Sequence, residues 1–124
     1  MDKPLLIKLP KIEDSRGSLT FIESQNHVPF EIKQCYWMYD VPEGVTQKGN
    51  AFIEQDELIV ALYGSFDVVC DNGSEQEVFH LDKSYFGLHV PKMFWRNMEN
   101  FSTNSVVLVL ASIKFNKKYF INGY

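Results

Sequence analysis

The chain has 124 residues and a formal net charge of −4, a length that suits one domain and leaves too little chain for two hydrophobic cores. The acidic balance argues against nucleic-acid binding, which needs a basic surface, whereas one phosphorylated small molecule needs only two or three cations. No apolar run approaches the ~20 residues of a membrane helix, and the N-terminus lacks the layout of a signal peptide, so a cytoplasmic protein is expected.

Short apolar or alternating runs recur along the chain, and the aromatic content of 15% also favours strands, because aromatic side chains fit half-buried pleated surfaces. The predicted strands, in chain order, are Leu5–Leu9, Leu19–Glu23, Glu31–Val41, Leu58–Tyr63, Phe66–Cys70, Glu77–Leu81, Phe86–Val90 and Ser105–Phe115. Helix signals are weak, with one short candidate helix near Asn116–Phe120. The two cysteines, Cys35 and Cys70, are expected to be reduced thiols in a cytoplasmic protein.

Turn residues separate these strands at Asp14–Gly17, Pro42–Gly44, Asp71–Gly73 and Asp82–Ser84. The clearest hairpin is Asp71-Asn72-Gly73, because Asn and Gly both tolerate positive φ and apolar strand residues flank them. Many short strands separated by such turns predict a β-sandwich or closed barrel. The chain is therefore predicted to form a single all-β domain over residues 1–124.

The middle of the chain has a spacing that resembles the first cupin motif, in which two histidines and a glutamate lie between two glycines. The matching positions are Gly44, Asn50, Phe52, Glu57 and Gly64. The second cupin motif is matched by Pro91, Arg96 and Asn100, with Met93 at the position of its glycine. The resemblance implies a double-stranded β-helix, the jelly-roll barrel of the cupins, with the motif side chains directed inward.

The four positions that hold a divalent metal in metal-dependent cupins are Asn50, Phe52, Glu57 and Arg96 in this chain. A catalytic metal needs three or more converging imidazole, thiolate or carboxylate ligands. One carboxylate beside an arginine and a phenyl ring does not provide that set. No metal and no cofactor are therefore expected, and a metal-dependent cupin oxygenase fails on ligand count.

A longer resemblance, to the sugar 3,4-ketoisomerase branch of the cupins, covers nearly the whole chain. Its strings are Asp14–Leu19, Phe21–Glu23, Pro29–Lys33, Tyr39–Pro42, Leu58–Val60, Gly64-Ser65, Gly87-Leu88, Trp95-Arg96, Asn100–Ser102 and Leu108–Ser112. The resemblance implies a metal-free protein that acts on a dTDP-linked 4-keto-6-deoxyhexose and moves its carbonyl from C4 to C3, for use in a surface glycan. It also implies a homodimer, in which N-terminal strands are often exchanged between subunits.

The chain departs from this family where the chemistry is expected. The family's His-x-His string is Asn50-Ala51-Phe52 here, and two family arginines correspond to Gln34 and Gln47. Moving a ketone to the adjacent carbon requires a group that accepts a proton near neutral pH, and histidine is the usual one. Neither an amide nor a phenyl ring can do this, so weak or altered activity is expected.

Three other residues are candidates for the missing base. Glu57 occupies the inward carboxylate position, although it could instead pair with Arg96. His89 lies in an apolar strand and could instead be a hydrogen-bonded wall residue. Tyr39 is the third candidate. It shares a strand with Tyr36, but the two side chains point to opposite faces of that strand, so at most one of them faces the pocket. Tyrosines in a barrel more often serve packing.

Substrate contacts are expected from cations and aromatic rings near the barrel mouth. Arg16 and Lys33 are candidates to bind the diphosphate, since a guanidinium grips phosphate oxygens in bidentate fashion. The alternative for Arg16 is surface pairing with Asp14 or Glu23, and the alternative for Lys33 is a solvent-side position on its strand. The remaining candidate substrate-binding residues are Asn50, Phe52, Trp95 and Arg96.

Two kinds of function stay open at this stage. The first is an enzyme that acts on a nucleotide-linked keto-sugar with a relocated base. The second is a catalytically inert cupin that binds a nucleotide sugar or pairs with an active paralogue, as a homodimer or a heteromer.

Overall fold

The computed structural model describes residues 3–48 and 55–114, and these ranges contain eleven strands and no helix. The strands are β1 (Leu5–Lys8), β2 (Lys11–Asp14), β3 (Gly17–Thr20), β4 (Gln34–Val41), β5 (Gln47–Lys48), β6 (Glu57–Tyr63), β7 (Phe66–Asp71), β8 (Gln76–Leu81), β9 (Phe86–Val90), β10 (Trp95–Glu99) and β11 (Ser105–Ala111). None of the described residues forms a helix of the length and apolarity that crossing a membrane would need.

The strands form two antiparallel sheets and a separate hairpin. The larger sheet has the order β1-β9-β6-β11-β4, and the smaller has the order β5-β10-β7-β8. Strands distant in sequence are neighbours in both sheets, as in a jelly roll, where the two sheets pack face to face. The predicted all-β jelly-roll barrel is therefore confirmed.

The main core fills the space between the two sheets. On β7 the side chains of Phe66, Val68 and Cys70 are buried, while the alternate residues are partly exposed. This period of two is the pattern of a strand with one face in the core. The interior cluster combines residues from both sheets, among them Met38, Ile59, Phe66, Val68, Leu81, Leu88, Met98 and Val107.

The larger sheet also carries a smaller core on its outer face. There Leu58 and Val60 of β6 pack with Val28 and Phe30, from the segment that precedes β4. Strand β6 is thus buried on both faces over its first five residues, which explains why its sequence is a continuous apolar run rather than an alternating one. The outward-facing side chains of the sheet therefore belong to a compartment separate from the barrel interior.

The Asp71-Asn72-Gly73 hairpin prediction is confirmed, since these residues connect β7 to β8. Only Gly73 has a positive φ, of 99°. Asn72 stabilises the turn through its side chain, whose oxygen accepts hydrogen bonds from the backbone N–H groups of Ser74 and Glu75 at 2.9 and 2.8 Å. Asparagine is thus used here as a local acceptor.

Three short strands, β2, β5 and β10, were not predicted from the sequence. Strand β10 contains Trp95, Arg96 and Asn97, and one of its two inward positions is occupied by the charged Arg96, so it lacks an apolar alternation. The candidate helix near Asn116–Phe120 lies outside the described residues. Both cysteines are free thiols in the structure.

Candidate active site at one end of the barrel

A row of inward-facing positions crosses the larger sheet at one end of the barrel. Ala111 of β11 is paired with Gln34 of β4 on one side and with Glu57 of β6 on the other. Glu57 is in turn paired with Val90 of β9. Because directly paired residues of adjacent strands project from the same face, Gln34 and Glu57 share the inner face with only a methyl side chain between them.

Glu57 and Arg96 form a buried ion pair that connects the two sheets. Their side chains are 4% and 2% exposed, and the Arg96 Nη1 atom donates to Glu57 Oε1 at 2.9 Å. The Nη2 atom of Arg96 donates to the carbonyl oxygens of Pro91 and Phe94, both at 3.1 Å. The guanidinium is thus held by the protein itself on several sides, which fixes its position.

The second oxygen of Glu57 is also occupied. Its Oε2 atom accepts hydrogen bonds from Gln55 Nε2 at 2.6 Å and from the Tyr36 hydroxyl at 3.3 Å. Both Glu57 oxygens therefore serve as acceptors within a network that spans β4, β6 and β10. A satisfied buried network of this kind rigidifies its surroundings and orients each member.

Tyr36 and Gln55 both contact Glu57, but neither was among the site residues predicted from the sequence. The sequence did limit the choice of tyrosine, because side chains three residues apart on a strand point to opposite faces, so only one of Tyr36 and Tyr39 can face the interior. On β4 the side chains of Tyr36 and Met38 turn inward and pack against the interior core. Tyr39 lies on the other face and is 65% exposed, so it does not share the interior with Glu57.

His89 is also on the outer face of the larger sheet. Its neighbours Leu88 and Val90 belong to the interior core, and alternation directs His89 the opposite way. There its Nε2 atom lies 3.0 Å from Asp56 Oδ1, and its ring packs against Phe30 with centroids 5.7 Å apart. This corresponds to the alternative of a hydrogen-bonded wall residue, and the structure does not bring His89 to Glu57.

The remaining described candidates are on the surface. Trp95 precedes the inward-facing Arg96 and is 54% exposed on the outside of the smaller sheet. Lys33 lies 3.7 Å from Glu31, with both side chains exposed. Neither residue lies in the inner polar row.

Arg16 is at the tip of the hairpin formed by β2 and β3. Its Nη2 atom donates to Asp14 Oδ2 at 2.7 Å, and its side chain is highly exposed. The hydrogen bonds from Arg16 lower the pKa of Asp14 from its ordinary value, and the same pairing raises the pKa of Arg16. This is the surface pairing named above as the alternative for Arg16.

Asn50 and Phe52 lie outside the described residues. Within residues 3–48 and 55–114, no group of three or more His, Cys, Asp or Glu side chains could hold a metal ion. The chemistry that the described site offers is hydrogen bonding around a phenol and a carboxylate.

Comparison with known proteins shows which family the chain belongs to. The family model described as FdtA, WxcM-like, C-terminal, matches residues 2–124. A TDP-4-oxo-6-deoxy-alpha-D-glucose-3,4-oxoisomerase from Aneurinibacillus thermoaerophilus is 34% identical over 119 residues, which covers 96% of this chain and 86% of that protein.

Solved structures agree with this match. The WlaRB TDP-quinovose 3,4-ketoisomerase from Campylobacter jejuni superposes with a TM-score of 0.91 at 31% identity, covering 96% of this chain and 92% of that one. A histidine-to-asparagine mutant of the 3,4-ketoisomerase QdtA from Thermoanaerobacterium thermosaccharolyticum, in complex with TDP-4-keto-6-deoxyglucose, superposes with a TM-score of 0.89 at 29% identity, covering 96% and 86%. The chain therefore belongs to the WxcM-like, C-terminal (FdtA) family, whose members similar to it are TDP-sugar 3,4-ketoisomerases with a cupin-type barrel.

Proposed function

We propose that this protein binds a TDP-linked 4-keto-6-deoxyhexose in the barrel and acts on it as a 3,4-ketoisomerase of weak or altered activity. The observation that carries the proposal is the match to TDP-sugar 3,4-ketoisomerases over nearly the whole chain. The polar end of the barrel supports it, because Glu57, Arg96 and Tyr36 form a fixed hydrogen-bonding surface inside an otherwise apolar interior. A hydrogen-bonding surface of this kind suits a sugar, which presents many hydroxyl and carbonyl oxygens.

The reaction requires two proton transfers at neighbouring carbons. A proton leaves C3, the electrons of the C3–H bond form the C3=C4 double bond, and the C4 oxygen takes up a proton, which gives an enediol. A proton then returns at C4 while the oxygen on C3 loses its proton and becomes the new carbonyl. Among the described inner residues, the Tyr36 hydroxyl is the group suited to pass a proton, since Glu57 orients it. In this proposal Glu57 positions Tyr36, because its own oxygens already accept hydrogen bonds from three side chains.

Turnover is proposed to be slow because of residues 50 and 52. The sequence has asparagine and phenylalanine where the family has its His-x-His string, and a positioned acid–base group typically contributes about 10²- to 10⁴-fold in rate. Substrate binding need not be lost with such a change. A related barrel with a histidine-to-asparagine mutation was crystallised in complex with TDP-4-keto-6-deoxyglucose.

The second candidate function is an inert nucleotide-sugar-binding subunit, alone or beside an active paralogue. The observation that favours it is the same loss of both histidines. Either function is proposed for a single-domain cytoplasmic protein in deoxysugar biosynthesis for a surface glycan.

The assembly we propose is a homodimer in which the β2–β3 hairpin packs on a second copy of the chain. Within the described residues this hairpin pairs with no other strand. Ile12 and Leu19 are paired across it and are 60% and 56% exposed. An isolated two-stranded hairpin with an apolar face is marginally stable in water, so a second surface is needed to cover it. Replacing Ile12 and Leu19 together by serine is expected to yield monomers in sedimentation.

Isomerisation followed by NMR tests the proposed function. TDP-4-keto-6-deoxyglucose is incubated in D2O with the wild type and with the Asn50→His/Phe52→His variant. Slow wild-type formation of the 3-keto product, with deuterium incorporated, and a faster reaction with the variant are expected. Product from the variant alone would support the inert candidate. The absence of both binding and product with either protein would contradict the proposal.

A further inference from the structure

Gln34 presents a buried side-chain N–H donor that has no hydrogen-bond partner among the described residues. Its Nε2 atom is buried and makes no hydrogen bond within the described part of the chain. Native proteins satisfy the great majority of buried donors, and each exception calls for an explanation such as an absent ligand. Gln34 is at the start of β4, in the inner row that contains Glu57.

The position of Gln34 in the barrel indicates where this donor can act. Tyr36, two residues further along β4, lies on the same face and donates to Glu57. Between Gln34 and Glu57 is one strand, whose residue in this row is Ala111. The backbones of β4 and β6 are thus about 10 Å apart, with little side-chain volume between them. The unpartnered amide is therefore next to the Tyr36–Glu57 hydrogen bond.

The charges around the Gln34 amide determine which kind of ligand atom fits beside it. The amide is neutral, and the nearby carboxylate of Glu57 disfavours an anion at this end of the row. The positive charge of Arg96 is already matched by Glu57 at 2.9 Å. A neutral acceptor, such as a hydroxyl or carbonyl oxygen, fits this environment, whereas a diphosphate does not.

We propose that Gln34 is a substrate-binding residue whose side-chain N–H donates to a neutral oxygen of the sugar ring, next to Tyr36. This inference rests on the proposed function and goes further by assigning this end of the barrel to the sugar rather than to the diphosphate. Within residues 3–48 and 55–114 the Gln34 N–H has no acceptor, and in this proposal the sugar supplies one.

Gln34→Met tests this inference, because methionine has a similar length and no donor. Binding of TDP and of TDP-4-keto-6-deoxyglucose is measured by calorimetry for the wild type, for this variant and for Gln76→Met, an exposed glutamine on β8. We expect Gln34→Met to bind the keto-sugar nucleotide about tenfold more weakly, equivalent to about 1.4 kcal/mol. Its affinity for TDP should equal that of the wild type, and Gln76→Met should change neither affinity.

Thermal unfolding of the ligand-free variants separates this role from a structural one. The Gln34 Nε2 atom makes no hydrogen bond to the described residues that the substitution could remove, so Gln34→Met is expected to melt at or above the wild-type temperature. A lower melting temperature, or unchanged affinity for the keto-sugar nucleotide, would overturn the inference while leaving the proposed function in place. Failure of the wild type to bind either compound would instead overturn the proposed function, and this inference with it.

Discussion

Removal of one member of the buried Glu57–Arg96 pair is expected to destabilise the barrel strongly. In Arg96→Met the new side chain is apolar and of similar length, and the Glu57 carboxylate is left buried, at 4% exposure, without its cation. Breaking a buried pair in this way costs about 3–5 kcal/mol. For a chain of this size that corresponds to a fall of roughly 10–20 °C in melting temperature.

The double variant Glu57→Gln/Arg96→Met distinguishes an uncompensated charge from a packing defect. It removes both charges, and the remaining amide can still accept hydrogen bonds from Gln55 and Tyr36. Most of the lost stability should therefore return, because the large cost of a single change comes from the buried charge that is left behind.

Urea and thermal unfolding, followed by circular dichroism, measure these effects. The matched control is Arg16→Met, which removes the exposed ion pair with Asp14 and should leave the midpoint unchanged, since such surface pairs often contribute nothing measurable. A melting temperature for Arg96→Met close to that of the wild type would show that leaving Glu57 without its cation costs little stability, against this prediction. A double variant less stable than Arg96→Met would also contradict it.

Three further predictions concern the rest of the fold. Gly64→Ala should destabilise the protein by more than about 2 kcal/mol in urea unfolding, because φ is 76° and the new Cβ would lie 2.5 Å from a serine oxygen; Gly73→Ala, with φ at 99° and open space, should cost less. Asn100→Ala should raise the pKa of Asp67 in an NMR titration, because the Asn100 hydrogen bond is the main cause that lowers it. The stability that comes from the lowered pKa of Asp67 is present above the unfolded-state value of 3.8 and is lost as the pH falls through the folded-state value. The same pH dependence of unfolding stability in the wild type and in Asn100→Ala would therefore contradict this prediction. The Cys70 thiol, with its pKa raised to about 11 by burial, should react with a thiol reagent at pH 8 only after unfolding.

The sequence was sufficient to predict the strands that carry apolar side chains. Alternation identified β7, and a continuous apolar run identified β6, because burial on one or both faces leaves these patterns. Strand β10 was missed since the inward position of Arg96 is stabilised by Glu57, 39 residues away in sequence. No local pattern reports a long-range ion pair of this kind.

The candidate site was predictable only in part. Motif spacing placed Glu57 and Arg96 together, and the structure confirms that these two side chains meet. Parity alone could not decide between Tyr36 and Tyr39, because that choice depends on which face of β4 meets the core. Likewise, His89 is in an apolar strand whose two faces are both buried. The sequence of this strand therefore does not show whether His89 faces the barrel interior or the outer core.

A crystal structure of the wild-type protein with TDP-4-keto-6-deoxyglucose would show whether the polar end of the barrel holds the sugar. We predict a sugar ring inside the barrel, with an oxygen substituent of the ring within hydrogen-bond distance of the Gln34 amide and with C3 and C4 beside the Tyr36 hydroxyl. A nucleotide sugar bound on the outer face of either sheet, or one with its diphosphate against Glu57, would contradict it.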